Sequence, residues 1–395
     1  MTRIAIVTPI LPVPFDIARG RFIHEQAKAL ARIATIRIFL QTARYPAIGW
    51  LKPQSYVDGR VETHHDLWQG LDVDAYSYPA LPWVSRPFNG TSGARRLLPR
   101  LRAFKPDVVI AYWAYPEGLS GVRAAHALGK PCIVGVLGSD VLTRSGWLAR
   151  MTRSALREAD AVAVVSEHLA RTVTTRYGID SEHVHTIING YNTTVFHPRA
   201  QPACRTELGL PADARLIVFV GRLIEAKGLR ELLLAFDTLA AVDPKVHLAL
   251  VGDGVMRDEL VARVRASPTA ARIHMPGAVA PEQVATWINA ADVFTLPSWS
   301  EGYPNVVVES LACGRPVVAS KVGGLPEIVN AHNGRLVPAR DPGALAEALR
   351  SALDRPWDHA RIAAGMQRSW DDVARETLAL CEALRDTERA PHASA

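Results

Sequence analysis

The chain has 395 residues, 48% of them hydrophobic and 21% charged, with a formal net charge of +6. That is too long for one ordinary core and points to two domains of under about 200 residues each. The composition is that of a globular protein, and no apolar run approaches the ~18 residues of a membrane-spanning helix.

In chain order, short apolar runs alternate with amphipathic segments. Ile4–Thr8, Thr35–Leu40, Asp107–Ala111, Cys132–Val136, Ala161–Val165 and Val184–Ile188 read as strands of a first sheet. Leu216–Val220, His247–Val251, Asp292–Leu296 and Pro316–Ser320 read as strands of a second. Helical periodicity fills the gaps, as in Arg21–Arg32 and Gly228–Ala241. Strict alternation of strand and helix implies parallel sheets covered on both faces, hence two doubly wound α/β domains with a cleft between them. Asn192–Ala212, with Pro198, Pro202 and Pro211, reads as the linker. Trp370–Arg385 is an amphipathic last helix with Val373, Leu378, Leu380 and Leu384 inward, and Thr387–Ala395 reads as a frayed tail.

The N-terminus has a basic start, but its apolar run is short and is broken by prolines 9, 12 and 14, so it reads as a strand and loop rather than a signal peptide. Cys132, Cys204, Cys313 and Cys381 are scattered without a CxxC pair, which suits thiols in a reducing cytoplasm better than disulfides or zinc. Residues 1–190 hold 23 Lys and Arg against 15 Asp and Glu, a balance of +8; the remainder holds 22 against 24. Arginines cluster at 95, 96, 100 and 102, and again at 144, 150, 153 and 157, interleaved with apolar residues. This is either a solvated helix face or a surface for an anionic membrane or acceptor. No nucleic-acid-binding motif accompanies the charge, so nucleic acid is not an expected partner.

The chemistry-bearing pattern lies in the second half. Pro297-Ser-Trp-Ser-Glu-Gly-Tyr-Pro-Asn-Val-Val-Val-Glu309 comes after a strand and opens a helix, with Pro304 at its first position. Helix N-termini present N–H groups to anions. Glu301 in the loop and Glu309 two turns away add two acceptors, so the segment suits a ligand carrying phosphates and hydroxyls, such as a nucleotide sugar. Ahead of it, Phe219-Val-Gly-Arg-Leu-Ile-Glu-Ala-Lys-Gly228 places Gly221 at a tight turn and Arg222 and Lys227 beside a helix start, a diphosphate clamp. It is not a P-loop. Val251-Gly-Asp-Gly254 reads as a close turn near the base pocket, since it lacks the third glycine of a dinucleotide fingerprint. In Gly323-Gly324-Leu-Pro-Glu327 the glutamate reads as a helix cap.

In the first half, Gly20 lets the backbone approach a phosphate across the cleft. Trp113 and Glu117 sit at a strand end, where an aromatic face suits a sugar ring and a core position is as good a reading. Ser139 and Asp140 come after another strand; Asp140 is either an acceptor for a sugar hydroxyl or a cap. His64 and His65 read as part of a solvated loop rather than a metal site, and Asp72-Val-Asp74 as a chance carboxylate pair.

Together these residues resemble the retaining glycosyltransferases of family 4, which have the two-Rossmann GT-B fold. The match runs through Gly20-Arg-Phe-Ile-His-Glu-Gln-Ala-Lys-Ala-Leu30, Tyr115-Pro-Glu-Gly118, Gly138-Ser-Asp140, Asn189-Gly190, Gly221-Arg222, Lys227-Gly228, Glu301, Glu309 and Pro326-Glu327. The resemblance implies an acceptor-binding domain at 1–195, joined by a crossing helix at 370–386, and a nucleotide-sugar domain at 196–369. It implies that Arg222 and Lys227 bind the donor diphosphate and that Glu301 faces the donor sugar. Glu309 would hold the ribose, and the amides near Asn305 and Val306 would complete the phosphate site. No metal or cofactor is then needed. The implied reaction is retaining hexosyl transfer from a UDP- or GDP-sugar to a saccharide or lipid-linked saccharide, in the cytoplasm or at the inner membrane face. Relatives often carry histidine where this chain has Leu137, and Asn-Gly-Val-Asp where it has Asn189-Gly-Tyr-Asn192, so no general base is named. A nucleotide-sugar epimerase of similar fold and a non-catalytic nucleotide-sugar-binding protein are the alternatives.

Overall fold

A computed structural model of the chain describes residues 1–14, 16–46, 66–81 and 84–389. His64 and His65 lie outside the described residues. The chain divides into two compact units, Met1–Gly190 joined by the stretch from Trp370, and Tyr191–Ser369.

The first unit holds seven strands: β1 (Arg3–Thr8), β2 (Thr35–Arg44), β3 (Val73–Pro79), β4 (Val108–Tyr112), β5 (Cys132–Val136), β6 (Ala161–Val164) and β7 (Val184–Thr186). Their order is β3-β2-β1-β4-β5-β6-β7, all parallel, with Ile4 beside Ile36 on one side and Val108 on the other. Every residue of β4 and β5 is buried, as a sheet covered on both faces requires. The order reverses between β1 and β4, so the loops after these two strands meet at the switch point where α/β sheets hold ligands.

β3 covers the segment whose carboxylates read as a chance pair. Asp72 lies 2.7 Å from Arg37 and Asp74 lies 3.2 Å from Arg100, so both are ordinary ion-paired surface groups. The last helix, Trp370–Arg389, packs on the helix Arg21–Ala31 of this unit. Trp370, Val373, Ala374, Thr377 and Cys381 form its buried stripe at helical spacing, and Leu378, Leu380 and Leu384 are only partly covered. Each large apolar side chain so buried contributes roughly 1.5–3 kcal/mol. Gln26 Nε2 donates to Thr377 Oγ1 at 3.0 Å inside that contact.

The second unit holds β8 (Arg215–Val220), β9 (Val246–Val251), β10 (Ile273–Gly277), β11 (Val293–Leu296), β12 (Val317–Ser320) and β13 (Gly334–Val337). The order is β10-β9-β8-β11-β12-β13, again parallel, with the switch point between β8 and β11. β10 and β13, absent from the sequence-based strands, are the two edges. Their residues are mostly half-exposed, so neither carries an unbroken apolar run. The expected irregular linker contains a helix, Gln201–Glu207. Arg205 fastens it to the sheet through Asp292 (2.7 Å) and the carbonyls of Ala290 and Ala212. No helix among the described residues is long and apolar enough to cross a membrane.

Candidate functional site

In the second unit the loops after β8 and β11 meet at the switch point, and the residues singled out in each come into contact. Lys227 Nζ donates to Glu301 Oε1 at 2.6 Å, with only 19% and 10% of the two side chains exposed. A pair this dry is held by its surroundings. Trp299 N–H donates to the Ala226 carbonyl at 2.8 Å, tying the two loops backbone to backbone. Gly228 and Gly323 make the approach possible. Both have left-handed backbones, at φ 67° and 56°. A Cβ on Gly228 would lie 2.1 Å from the Pro297 oxygen, and one on Gly323 only 1.8 Å from the Glu301 oxygen.

Val251-Gly-Asp-Gly254 packs the β9 loop onto the β8 loop. Gly221 N–H donates to Val251 O at 3.0 Å and Leu223 N–H to Asp253 O at 2.8 Å. Gly254 carries no side chain because the Leu223 backbone occupies that space. The Arg222 side chain is exposed, with no hydrogen bond or ion pair among the described residues. It is a cation available to a ligand beside the buried pair.

Two local expectations need correction. Pro304 is the residue before the helix Asn305–Ala312, not its first member, and Asn305 and Val306 open the helix. Their amides stand where intrahelical acceptors are lacking. Glu309 is therefore just over one turn into the helix, not two, and half-buried. Glu327 makes no capping bond at the helix Leu325–Ile328. Sequence reasoning missed a second layer here. Trp299 Nε1 donates to Glu231 Oε1 at 3.1 Å, and the Arg340 guanidinium stacks 4.1 Å above the Trp299 ring. Arg340 itself sits at φ 62°, unusual for a non-glycine. The position of Trp299 within the 297–309 segment was the only available signal.

The first unit gives its candidates different work. Asp140 is fully buried. Its Oδ1 accepts from the Leu137 and Gly138 amides (3.1 and 2.8 Å) and its Oδ2 from the Ala114 amide (3.1 Å). It therefore pins the loops after β4 and β5 together and is not offered to a sugar hydroxyl. It is not a cap either, since the amides it binds precede the helix Ser139–Leu142. Burial raises its pKa, with the three amide bonds opposing. Glu117 is also buried, and burial pushes its carboxyl up to about 8 against the pull of Arg144 and Gln41. It is neutral at pH 7, unlike the open sugar contact expected of it.

Trp113 is half-buried with φ 82°, and its N–H donates to Gly135 O at 2.9 Å. Ser139 is exposed. Gly20 precedes the helix Arg21–Ala31 with φ 62°, and the Ile10 carbonyl fills the place of its missing Cβ. Beside it Arg19, not singled out from sequence, holds Pro9 O through Nη2 (2.9 Å) and leaves a buried Nη1 without a partner. Among the described residues no group of three or more His, Cys, Asp or Glu is placed to hold a metal ion.

Comparison with known proteins agrees with this geometry. Residues 20–195 match the family described as Glycosyltransferase Family 4, and residues 214–355 match Glycosyl transferases group 1. The putative teichuronic acid biosynthesis glycosyltransferase TuaC of Bacillus subtilis is 28% identical over 357 residues, 88% of each chain. A D-inositol 3-phosphate glycosyltransferase of Thermobispora bispora is 35% identical over 229 residues, 54% of each chain. Among solved structures, the sucrose-phosphate synthase of Thermosynechococcus elongatus superposes with a TM-score of 0.76 at 22% identity, over 98% of this chain and 100% of that one. Anabaena HepE, solved in complex with UDP-glucose, does so with a TM-score of 0.69 at 18% identity, over 99% and 100%. The chain belongs to the family 4, or group 1, glycosyltransferases and has their GT-B fold of two Rossmann-like domains.

Proposed function

We propose that this glycosyltransferase moves a hexosyl group, with retention and without a metal ion, from a UDP- or GDP-sugar to a saccharide or lipid-linked saccharide. Cell-surface polysaccharide or glycolipid synthesis on the cytoplasmic side of a membrane is the setting that fits. The observation that carries the reading is the Lys227–Glu301 pair at the switch point of the second sheet, with the unpaired Arg222 on the same loop as Lys227.

An ammonium has three donors, so Lys227 can keep Glu301 in place and still reach a diphosphate oxygen. With Arg222 and the amides of Asn305 and Val306 it would stabilise the charge that grows on the departing nucleoside diphosphate. Glu301, held by Lys227, would accept from hydroxyls of the donor sugar, and Glu309 from the ribose. Neither needs to act as a base for the leaving group to depart. The UDP-glucose complex of HepE and the names of TuaC and the inositol phosphate enzymes support this donor and acceptor class.

The test is a metal-free thermal-shift panel of nucleoside diphosphates and their sugars, since a ligand of the native state raises its melting point. One base should raise it clearly in the wild type and not in Lys227→Ala, whose own melting point stays close to wild type. No shift with any nucleotide, or an undiminished shift in Lys227→Ala, overturns the assignment.

A further inference from the structure

The outer edge of the seven-stranded sheet holds a groove that the donor chemistry does not use. β2 and β3 run side by side to their last residues, Arg44 opposite Pro79. Beyond those ends lies a cavity of about 730 Å³ whose walls include Arg44, Tyr45, Ser77, Leu81, Ser85 and Arg96. It opens at the carboxyl ends of parallel strands, where such sheets collect ligands.

The groove carries uncompensated positive charge. Arg44 and Arg96 are exposed, and neither meets a carboxylate among the described residues. The carboxylates that bear on neighbouring β3 are accounted for. Asp74 is held by Arg100 at 3.2 Å. Glu117, which acts on Tyr76 and Tyr78 either side of Ser77, is buried and protonated at neutral pH. Two open guanidinium forks suit a phosphate.

A second observation is independent of charge. The described residues hold eight exposed large hydrophobic side chains, and three of them, Leu81, Val84 and Phe88, fall within one eight-residue span at the groove, 49%, 70% and 66% exposed. Scattered singly they would need no explanation; grouped, they mark a contact surface. The span is shaped by Ser85, whose Oγ accepts from the Leu81 N–H at 2.7 Å and lies 2.9 Å from Asn89 Oδ1. A water-soluble anion would use the arginines and leave this apolar rim idle. An amphiphile uses both.

We propose that this groove binds the phosphate of a lipid phosphate ester in a bilayer, with the apolar chain against Leu81, Val84 and Phe88, and so docks a membrane-held acceptor. The purpose of the site rests on the proposed transfer to a lipid-linked acceptor; its binding chemistry does not.

The test is sedimentation with phosphatidylcholine vesicles, with and without phosphatidic acid, on folded variants whose melting points match the wild type. The wild type should prefer the doped vesicles. R44Q/R96Q should lose about thirtyfold in that binding, the product of two surface cations near an anionic bilayer. L81S/V84S/F88S should lose about tenfold or more on vesicles while keeping its thermal shift with soluble butyl phosphate. R150Q/R157Q, in the other basic cluster, should bind like the wild type. Indifference of the wild type to doping, unchanged binding by R44Q/R96Q, or an equal loss in R150Q/R157Q overturns the proposal. The nucleotide panel on the same proteins separates the two readings. Vesicle binding through Arg44 and Arg96 without any nucleotide shift refutes the transfer reading alone. A nucleotide shift without vesicle binding refutes the groove alone.

Discussion

Replacing Glu117 by glutamine tests the burial argument quantitatively. In the native state burial holds this carboxyl's pKa at about 8, against 4.5 in the unfolded chain. Proton counting gives the direction. Below about pH 4.5 both states are protonated and the buried acid carries no penalty. As pH rises from there towards 8, the unfolded chain releases a proton that the native state keeps, so stability falls by about 1.4 kcal/mol per unit. Above about pH 8 the loss levels off, and over the whole span of about 3.5 units it amounts to at most ~5 kcal/mol. Glutamine has nearly the same shape, can still meet Gln41, and does not titrate. Scanning calorimetry of both proteins at about pH 5, 6.5 and 8 should therefore show the variant gaining steadily on the wild type. The gap should be small at the acid end and several degrees at the alkaline end. Curves that stay parallel across that range would mean that Glu117 is already ionised in the native protein, with Arg144 or water compensating it, and the burial argument would be refuted.

Three further outcomes are expected. Gly323→Ala must place a Cβ 1.8 Å from the Glu301 oxygen at a left-handed φ, so it should destabilise the protein by about 2 kcal/mol or more and weaken donor binding as Glu301 is displaced; an unchanged melting point and nucleotide shift would contradict it. Glu309→Ala should raise the donor KM with kcat little changed, because ribose contacts are alike in ground and transition states; initial-rate kinetics decide. Asp140→Asn puts an amide NH2 where a backbone N–H needs an acceptor, so about 1–3 kcal/mol of stability should be lost, read by thermal denaturation.

Much of the architecture was written in local pattern. Central strands such as β4, β5 and β11 are buried on both faces, so they must be continuous apolar runs, and such runs are visible without coordinates. Their alternation with amphipathic helices implies parallel sheets, and Gly-Arg-x4-Lys-Gly and Glu-x7-Glu mark strand-to-helix junctions where anions bind. The edge strands β10 and β13 were not legible, because an edge is half in water and its residues need not be apolar. The roles of Asp140 and Glu117 were not legible either. A carboxylate after a strand looks the same in sequence whether it faces solvent or lies buried on three backbone amides, and burial is set by segments distant in the chain. The Lys227–Glu301 contact, and the stacking of Arg340 on Trp299 beside it, join residues from different strand ends. Sequence alone determined which groups carry the chemistry, since that depends on residue type and local spacing. Only the tertiary structure decided which of them meet, because the parallel sheet order brings together loops separated by more than 70 residues of chain.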